Sequence, residues 1–294
     1  MTTDTADTPD AAEVPDTANR FFDPWEPEKL LGVPTLGFLP RIDEPTLRLI
    51  RDISSFSPLM ESFRTLRTNL YFATEQPLRS LAVMSSVPAE GKSTTTANLA
   101  MALAMDGKKV IVVDADLRRP TQHKLFQIAQ SPGLVDLLTE EQTVKNVLRQ
   151  TNVPGVRVIT AGAPPPNAPE LLGSGNVARL LAELERHCDI VLLDTPPVLA
   201  VADGPIVASQ VGGVLLVIGY GETKKENTAQ CMQALSRCRA NVLGTALNRM
   251  QGPEEGYYYG KYYVSSETTP ELTAANVPTA TRERVRVSRR SKNP

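Results

Sequence analysis

Residues 79–106 run through "RSLAVMSS", then "VPAEGKS", then "TTTANLAMALAMD". An apolar run, a loop of small residues, Gly-Lys-Ser and a helix-forming stretch, in that order, make a phosphate-binding loop. Backbone N–H groups of such a loop and of the following helix start face phosphate oxygens, and the helix dipole adds favourable charge. The loop comprises Ser86, Val87, Pro88, Ala89, Glu90 and Gly91. Gly91 lets the backbone approach the ligand. Lys92 is placed to reach the β- and γ-phosphates, Ser93 to bind Mg²⁺ through its hydroxyl, and Thr94 to support the α-phosphate. ATP and Mg²⁺ are the expected cofactors. One position departs from the G-x-x-x-x-G-K-[ST] pattern: Ser86 stands where the first glycine is usual.

Two further segments point to the same place. "VIVVDADLRRP" ends an apolar run with Asp114 and Asp116, and "IVLLDTPP" ends another with Asp194. In an open parallel sheet, ligands bind outside the carboxyl ends of the strands. Three acids from two strand ends therefore converge beside the phosphate loop, where carboxylates hold Mg²⁺ directly or through water. Asp116 and Asp194, with Ser93, are the expected metal ligands. Asp114 or Asp116 is expected to accept the proton of an attacking hydroxyl, with Asp116 favoured for the metal and Asp114 for orientation and base. No guanine-type N-K-x-D follows a later strand, and Asn248 in "GTALNRM" is available to an adenine edge.

These residues need strands and helices to hold them. Buried-strand patterns, apolar with little polar alternation, occur at 79–86, 108–116, 156–162, 189–195, 212–219 and 241–248. Helical stretches fall between them at 92–106, 133–149, 174–187, 203–210 and 225–238, and a further helix is expected over 58–73. The alternation predicts an α/β protein of the P-loop NTPase fold: a mostly parallel central sheet with helices on both faces. Residues 1–24, rich in Thr, Asp, Ala and Pro, are expected to be disordered. Residues 25–57 read as a Pro-punctuated linker or docking segment, 58–252 as the catalytic domain, 253–264 as a tyrosine cluster and 265–294 as a disordered basic tail.

Composition narrows the function classes. A net charge of −2 offers no bulk electrostatic case for nucleic acid. Three cysteines without C-x-x-C spacing read as reduced thiols in a cytoplasmic protein. No run approaches the roughly 18 apolar residues of a membrane span, and no signal peptide is evident. The odd feature is "EEGYYYGKYYV". It holds Tyr257, Tyr258, Tyr259, Tyr262 and Tyr263, five of the seven tyrosines, in a chain that is 5% aromatic.

Taken together, "VPAEGKSTTTANLAMALA", "VIVVDADLRRPTQHKLF", "APPPNAPELL", "DIVLLDTPPVLAVAD" and the terminal tyrosines resemble the bacterial tyrosine kinases of capsule and exopolysaccharide assembly. The resemblance spans residues 58–263. It implies a Walker A loop at 86–94, a second Asp-bearing Walker motif at 112–116 and a Walker B motif at 191–194. It further implies that the five tail tyrosines are autophosphorylation targets and that Asn248 contacts the base. "ESFRTLR" is similar to the family's E-x-Y-R segment, with Phe63 in place of tyrosine. That segment implies a ring-forming homo-oligomer interface through Glu61 and Arg64. Ala89 stands where many members have glycine. "LLGVPTLGFLPRI" is similar to the segment joining a membrane helix to the kinase in fused members. The expected partners are a membrane adaptor or polysaccharide co-polymerase and a cognate tyrosine phosphatase; either that adaptor or a membrane segment of a longer protein would hold the chain at the inner face of the membrane. Two other readings share the phosphate loop: a partition- or septum-site-type ATPase switch, and a non-catalytic ATP-binding oligomerisation module. The switch proteins carry an extra lysine five positions before the Gly-Lys lysine, where this chain has Val87.

Overall fold

A computed structural model describes residues 17–42, 49–50, 57–173 and 175–251. The tyrosine cluster and the basic tail lie outside the described residues. In chain order the elements are α1 (Glu26–Leu31), β1 (Thr35–Pro40), α2 (Pro58–Phe72), β2 (Ser80–Ser85), α3 (Lys92–Met105), β3 (Val110–Asp114) and α4 (Gln122–Leu125). There follow α5 (Leu134–Leu138), α6 (Val144–Val147), β4 (Arg149–Gln150), β5 (Val156–Ile159), α7 (Ala168–Leu172) and α8 (Asn176–Leu184). The described chain closes with β6 (Ile190–Asp194), α9 (Asp203–Ala208), β7 (Gly213–Gly219), α10 (Lys225–Arg237) and β8 (Val242–Met250).

Among the described residues, eight strands form one sheet in the order β1-β8-β7-β2-β6-β3-β5-β4. All pairings are parallel except β4 with β5. The β2, β3, β6 and β7 strands are buried along their whole length, which their unbroken apolar runs anticipate. Strand pleating divides the core in two. Val110 and Val112 of β3 pack with Leu66, Leu99 and Leu103 on the face of α2 and α3. Ile111 and Val113 pack with Leu181, Leu235 and Cys231 on the other.

All six expected strands and the helices at 58–72, 92–105, 176–184, 203–208 and 225–237 are present. Three features differ from expectation. The stretch 133–149 is not one helix: α5 stops at Leu138, Glu140 takes a left-handed φ of 61°, and Arg149 and Gln150 enter the edge strand β4. The polar run Thr139–Thr143 carries no apolar stripe to sustain a helix across it. Second, residues 35–40 form β1 on the opposite edge, paired with β8. The flanking prolines read as linker punctuation, but an edge strand tolerates proline because one side of its ladder is unpaired.

Third, residues 18–25, straddling the boundary expected between a disordered segment and a linker, pack on the domain. Phe21 is fully buried, Arg20 forms an antiparallel bridge with Lys224, and Phe22 meets Tyr220 edge-on at 6.2 Å. Two adjacent phenylalanines supply the apolar area that the acidic composition around them hid.

Candidate active site

The β6 strand lies between β2 and β3. The phosphate loop after β2 and the acids ending β3 and β6 therefore open on one side of the sheet. Parallel pairing places Asp114 directly opposite Asp194 across two adjacent strands. Helix α3 starts at Lys92, immediately after Gly91. Gly91 has φ 92°, a conformation that favours glycine, and a Cβ there would stand 2.0 Å from Asn248 Nδ2 and displace that amide. Asn248 Nδ2 donates to the Glu90 carbonyl at 2.9 Å, which ties the end of β8 to the loop.

Lys92 is the hub. Its Nζ lies 3.1 Å from Asp116 Oδ2, 3.5 Å from Asp194 Oδ1 and 3.3 Å from Ser93 Oγ. Burial works against its charge, but Asp194 and Asp116 outweigh burial and hold its pKa above the ordinary value. The side chain stays an ammonium. Three oxygens, two from carboxylates and one from a hydroxyl, thus face one cation. That donor set fits Mg²⁺, a hard ion that takes one or two carboxylates together with phosphate oxygens and water. Among the described residues no group of three or more His, Cys, Asp or Glu side chains could hold a metal unaided.

The three acids have different surroundings. Asp116 lines a cleft of about 540 Å³ together with Lys92, Ser93 and Thr94. Its Oδ1 accepts the Arg119 N–H at 2.9 Å. Asp194 is fully buried and accepts from Gln122 Nε2 at 2.8 Å. Asp114, expected to meet the attacking hydroxyl, is fully buried and is not part of the cleft lining. Its Oδ2 accepts the N–H groups of Thr121 and Gln122, both at 2.9 Å. Burial first, and then the neighbouring Asp194, push its carboxyl well above the usual carboxylate range. Its position in β3, two residues before Asp116, places it in the sheet interior.

The remaining loop residues are held by one buried carboxylate. Glu90 Oε2 accepts from the Val87 N–H at 2.8 Å. Its Oε1 accepts from the Gly219 N–H at 3.4 Å and from the Thr223 hydroxyl. Ala89 takes a left-handed φ of 67°, and its carbonyl accepts from Arg249. Ser86 is buried below the loop, and Pro88 and Ala89 line the cleft. A second cavity of about 430 Å³ shares Gly91, Thr94 and Arg249 with the first and is bordered by Asn248, Leu39 and Phe63. Glu61 and Arg64 sit on the half-exposed outer side of α2 and pair with each other at 3.1 Å.

Sequence reasoning passed over Gln122, Arg249 and Asp203. Gln122 is fully buried and bridges the Ser93 carbonyl (3.0 Å) to Asp194. Nothing in "TQHKLF" marks that glutamine, because its partners lie 29 and 72 residues away. Asp203 takes a bidentate pair with Arg118. Its only sequence signal was an acid opening a helix.

A phosphate loop opening the helix after a central strand, with acids at the ends of the two neighbouring strands on one side, places the chain among the P-loop NTPases. Consistent with this, the AAA_31 family (AAA domain) matches residues 81–218. The chain is 40% identical over 203 residues to "Tyrosine-protein kinase YwqD" of Bacillus subtilis (strain 168), covering 68% of this chain and 86% of that protein. It therefore belongs to the bacterial tyrosine-protein kinase family. Solved structures agree. The chimerical protein CapA2B2 superposes with a TM-score of 0.73 at 34% identity, covering 78% of this chain and 100% of that one. The kinase domain of Escherichia coli tyrosine kinase ETK superposes with a TM-score of 0.72 at 30% identity, covering 78% and 94%.

Proposed function

We propose that the protein is an ATP-dependent tyrosine autokinase that phosphorylates Tyr257, Tyr258, Tyr259, Tyr262 and Tyr263 of a neighbouring copy, and so regulates capsular or exopolysaccharide polymerisation and export. One observation carries the reading: Lys92, Ser93 and Asp116 line a cleft, with Asp194 buried against Lys92, in a chain that carries clustered tyrosines at 257–263. Phosphoryl transfer asks mainly for positioning and charge neutralisation. Lys92 supplies a fixed positive charge where negative charge grows on the transferred group. Bound with ATP, Mg²⁺ would neutralise the β- and γ-phosphates, held by Ser93, Asp116 and Asp194.

Asp116, the acid that lines the cleft, orients the attacking phenol and draws on its proton. A free phenol has a pKa near 10, so a carboxylate at hydrogen-bond distance keeps the lone pair directed at phosphorus. Asp114 is a positioning residue that holds the backbone of Thr121 and Gln122 from below, and Gln122 in turn braces Asp194. With ATP bound, Asn248 at the edge of the second cavity would face the adenine. A ring forms through Glu61 and Arg64 exchanging their internal pair for one between subunits. A membrane adaptor holds that ring at the inner face of the membrane; the likeness to CapA2B2 is in keeping with such a partnership. A cognate phosphatase resets the tail.

The switch-ATPase alternative leaves the tyrosines without a role and lacks its lysine, with Val87 in that place. Replacing Lys92→Met tests the reading. Purified wild-type protein is expected to carry phosphate on residues 257–263 by mass spectrometry, and the variant none; undiminished tail phosphate in the variant would refute the assignment.

A further inference from the structure

The cleft has two ends. At one, the phosphate loop leads past Gly91 and Thr94 to the cavity beside Asn248, which accounts for a nucleotide. The other end is walled by Arg118 and Arg119 from the loop after β3, and by Pro196, Pro197, Ala200 and Val201 from the loop after β6. The two arginines are not equivalent. Arg118 Nε lies 2.9 Å from Asp203 Oδ2 and its Nη2 lies 3.2 Å from Oδ1. Asp203 is fully buried, so the Arg118 charge is matched and its guanidinium fixed. Arg119 is exposed, and its side chain forms no ion pair with an acid among the described residues. Its backbone N–H is bonded to Asp116 Oδ1 at 2.9 Å. An unmatched cation is thereby anchored one hydrogen bond from the carboxylate that faces the cleft, beside an apolar proline ledge that suits an aromatic ring.

Resting on the kinase reading above, we propose that Arg119 selects the acceptor by its acidic flank: it binds Glu254 and Glu255 of a second copy of this chain while Tyr257 enters the cleft. The charges are complementary, and the spacing fits. Glu255 and Glu254 stand two and three residues before Tyr257, a separation of about 7–10 Å in extended chain. An arginine side chain on a backbone tethered to Asp116, together with the glutamate side chain that meets it, spans a gap of that size. Tyr262 and Tyr263 lack this flank, since Lys261 precedes them, and Tyr258 and Tyr259 stand one and two residues further from the glutamates than Tyr257 does. Tyr257 is therefore the acceptor that Arg119 favours.

The test uses the full-length enzyme and synthetic peptides spanning residues 251–264, with phosphate per tyrosine followed by mass spectrometry. The native peptide is expected to exceed a Glu254→Gln/Glu255→Gln peptide in kcat/KM by about fivefold, the scale of one or two exposed ion pairs. An Arg119→Glu enzyme is expected to lose that preference, to favour a Glu254→Lys/Glu255→Lys peptide, and to keep its KM for ATP. Equal use of the charged and neutral peptides by the wild type overturns this inference and leaves the kinase reading standing. A raised KM for ATP in Arg119→Glu with peptide selectivity intact also overturns it, because the arginine then serves the nucleotide. No labelling of any peptide or of the enzyme's own tail overturns the kinase reading, and this inference with it.

Discussion

Ala89 and Glu90 hold the phosphate loop in shape by opposite means. Ala89 has φ 67°, a left-handed conformation that costs a non-glycine residue roughly 1–2 kcal/mol. Glycine would relieve that strain but add about 0.4–1 kcal/mol of unfolded-state entropy. Ala89→Gly is therefore expected to stabilise the protein by about 0.5 kcal/mol, read as a higher urea midpoint; a lower midpoint would contradict the strain. Glu90 is a buried carboxyl, raised above its ordinary 4.5 by burial against the hydrogen bonds from Thr223, Val87 and Gly219. The folded protein thus holds this proton more tightly than the unfolded chain does. Its stabilising contribution is full below about pH 4.5 and is lost as pH rises through the folded value. In Glu90→Gln, unfolding free energy is expected to fall less between about pH 4.5 and pH 7 than in the wild type. Parallel curves would show that Glu90 does not titrate in the native loop.

At the scale of elements, the segment before α1 is a strap across the site's periphery. The Phe21 carbonyl accepts the Gly221 N–H at 2.9 Å, the Phe22 carbonyl accepts the Tyr220 hydroxyl, and Lys225 pairs with Glu26. The turn beneath it carries Glu222, which pairs with Arg249, the residue that donates to the Ala89 carbonyl. A chain of contacts thus runs from the strap to the phosphate loop. Phe21 is fully buried, so Phe21→Ala is expected to cost about 3 kcal/mol, measured by urea unfolding. A cost near zero would mean that the strap is peripheral to the core. These contacts link positions about two hundred residues apart, and the local composition around Phe21 gave no hint of them.

For the whole molecule, charge is the lever. Each tyrosine phosphate adds roughly −1.5 to −2, so five would add about −8 to −10 to a subunit of formal charge −2. If the autokinase assembles through Glu61 and Arg64, phosphorylation is expected to dissociate the assembly. Sedimentation should then find a smaller species after incubation with ATP and Mg²⁺ than after phosphatase treatment, with the difference reduced at high salt. Identical species in both states would refute charge-driven disassembly. Among the described residues no helix is long and apolar enough to cross a membrane.

Local order sufficed for much of this. The unbroken apolar runs of β2, β3, β6 and β7 can only be buried on both faces, and the Gly-Lys-Ser loop between strand and helix has one geometry that satisfies its backbone. Those features made the sheet, the phosphate loop and the acid-tipped strands legible in the chain itself. Tertiary structure alone decided the rest. Strand order placed Asp194 opposite Asp114 and separated Asp116, in the cleft, from Asp114, sealed beneath it. Two acids two residues apart read alike in sequence, because burial is a property of neighbours brought in from β6 and α4. The same holds for Gln122 and Asp203, and for the Phe21 strap. Each has meaning only through partners dozens to hundreds of residues away, and no local pattern encodes them.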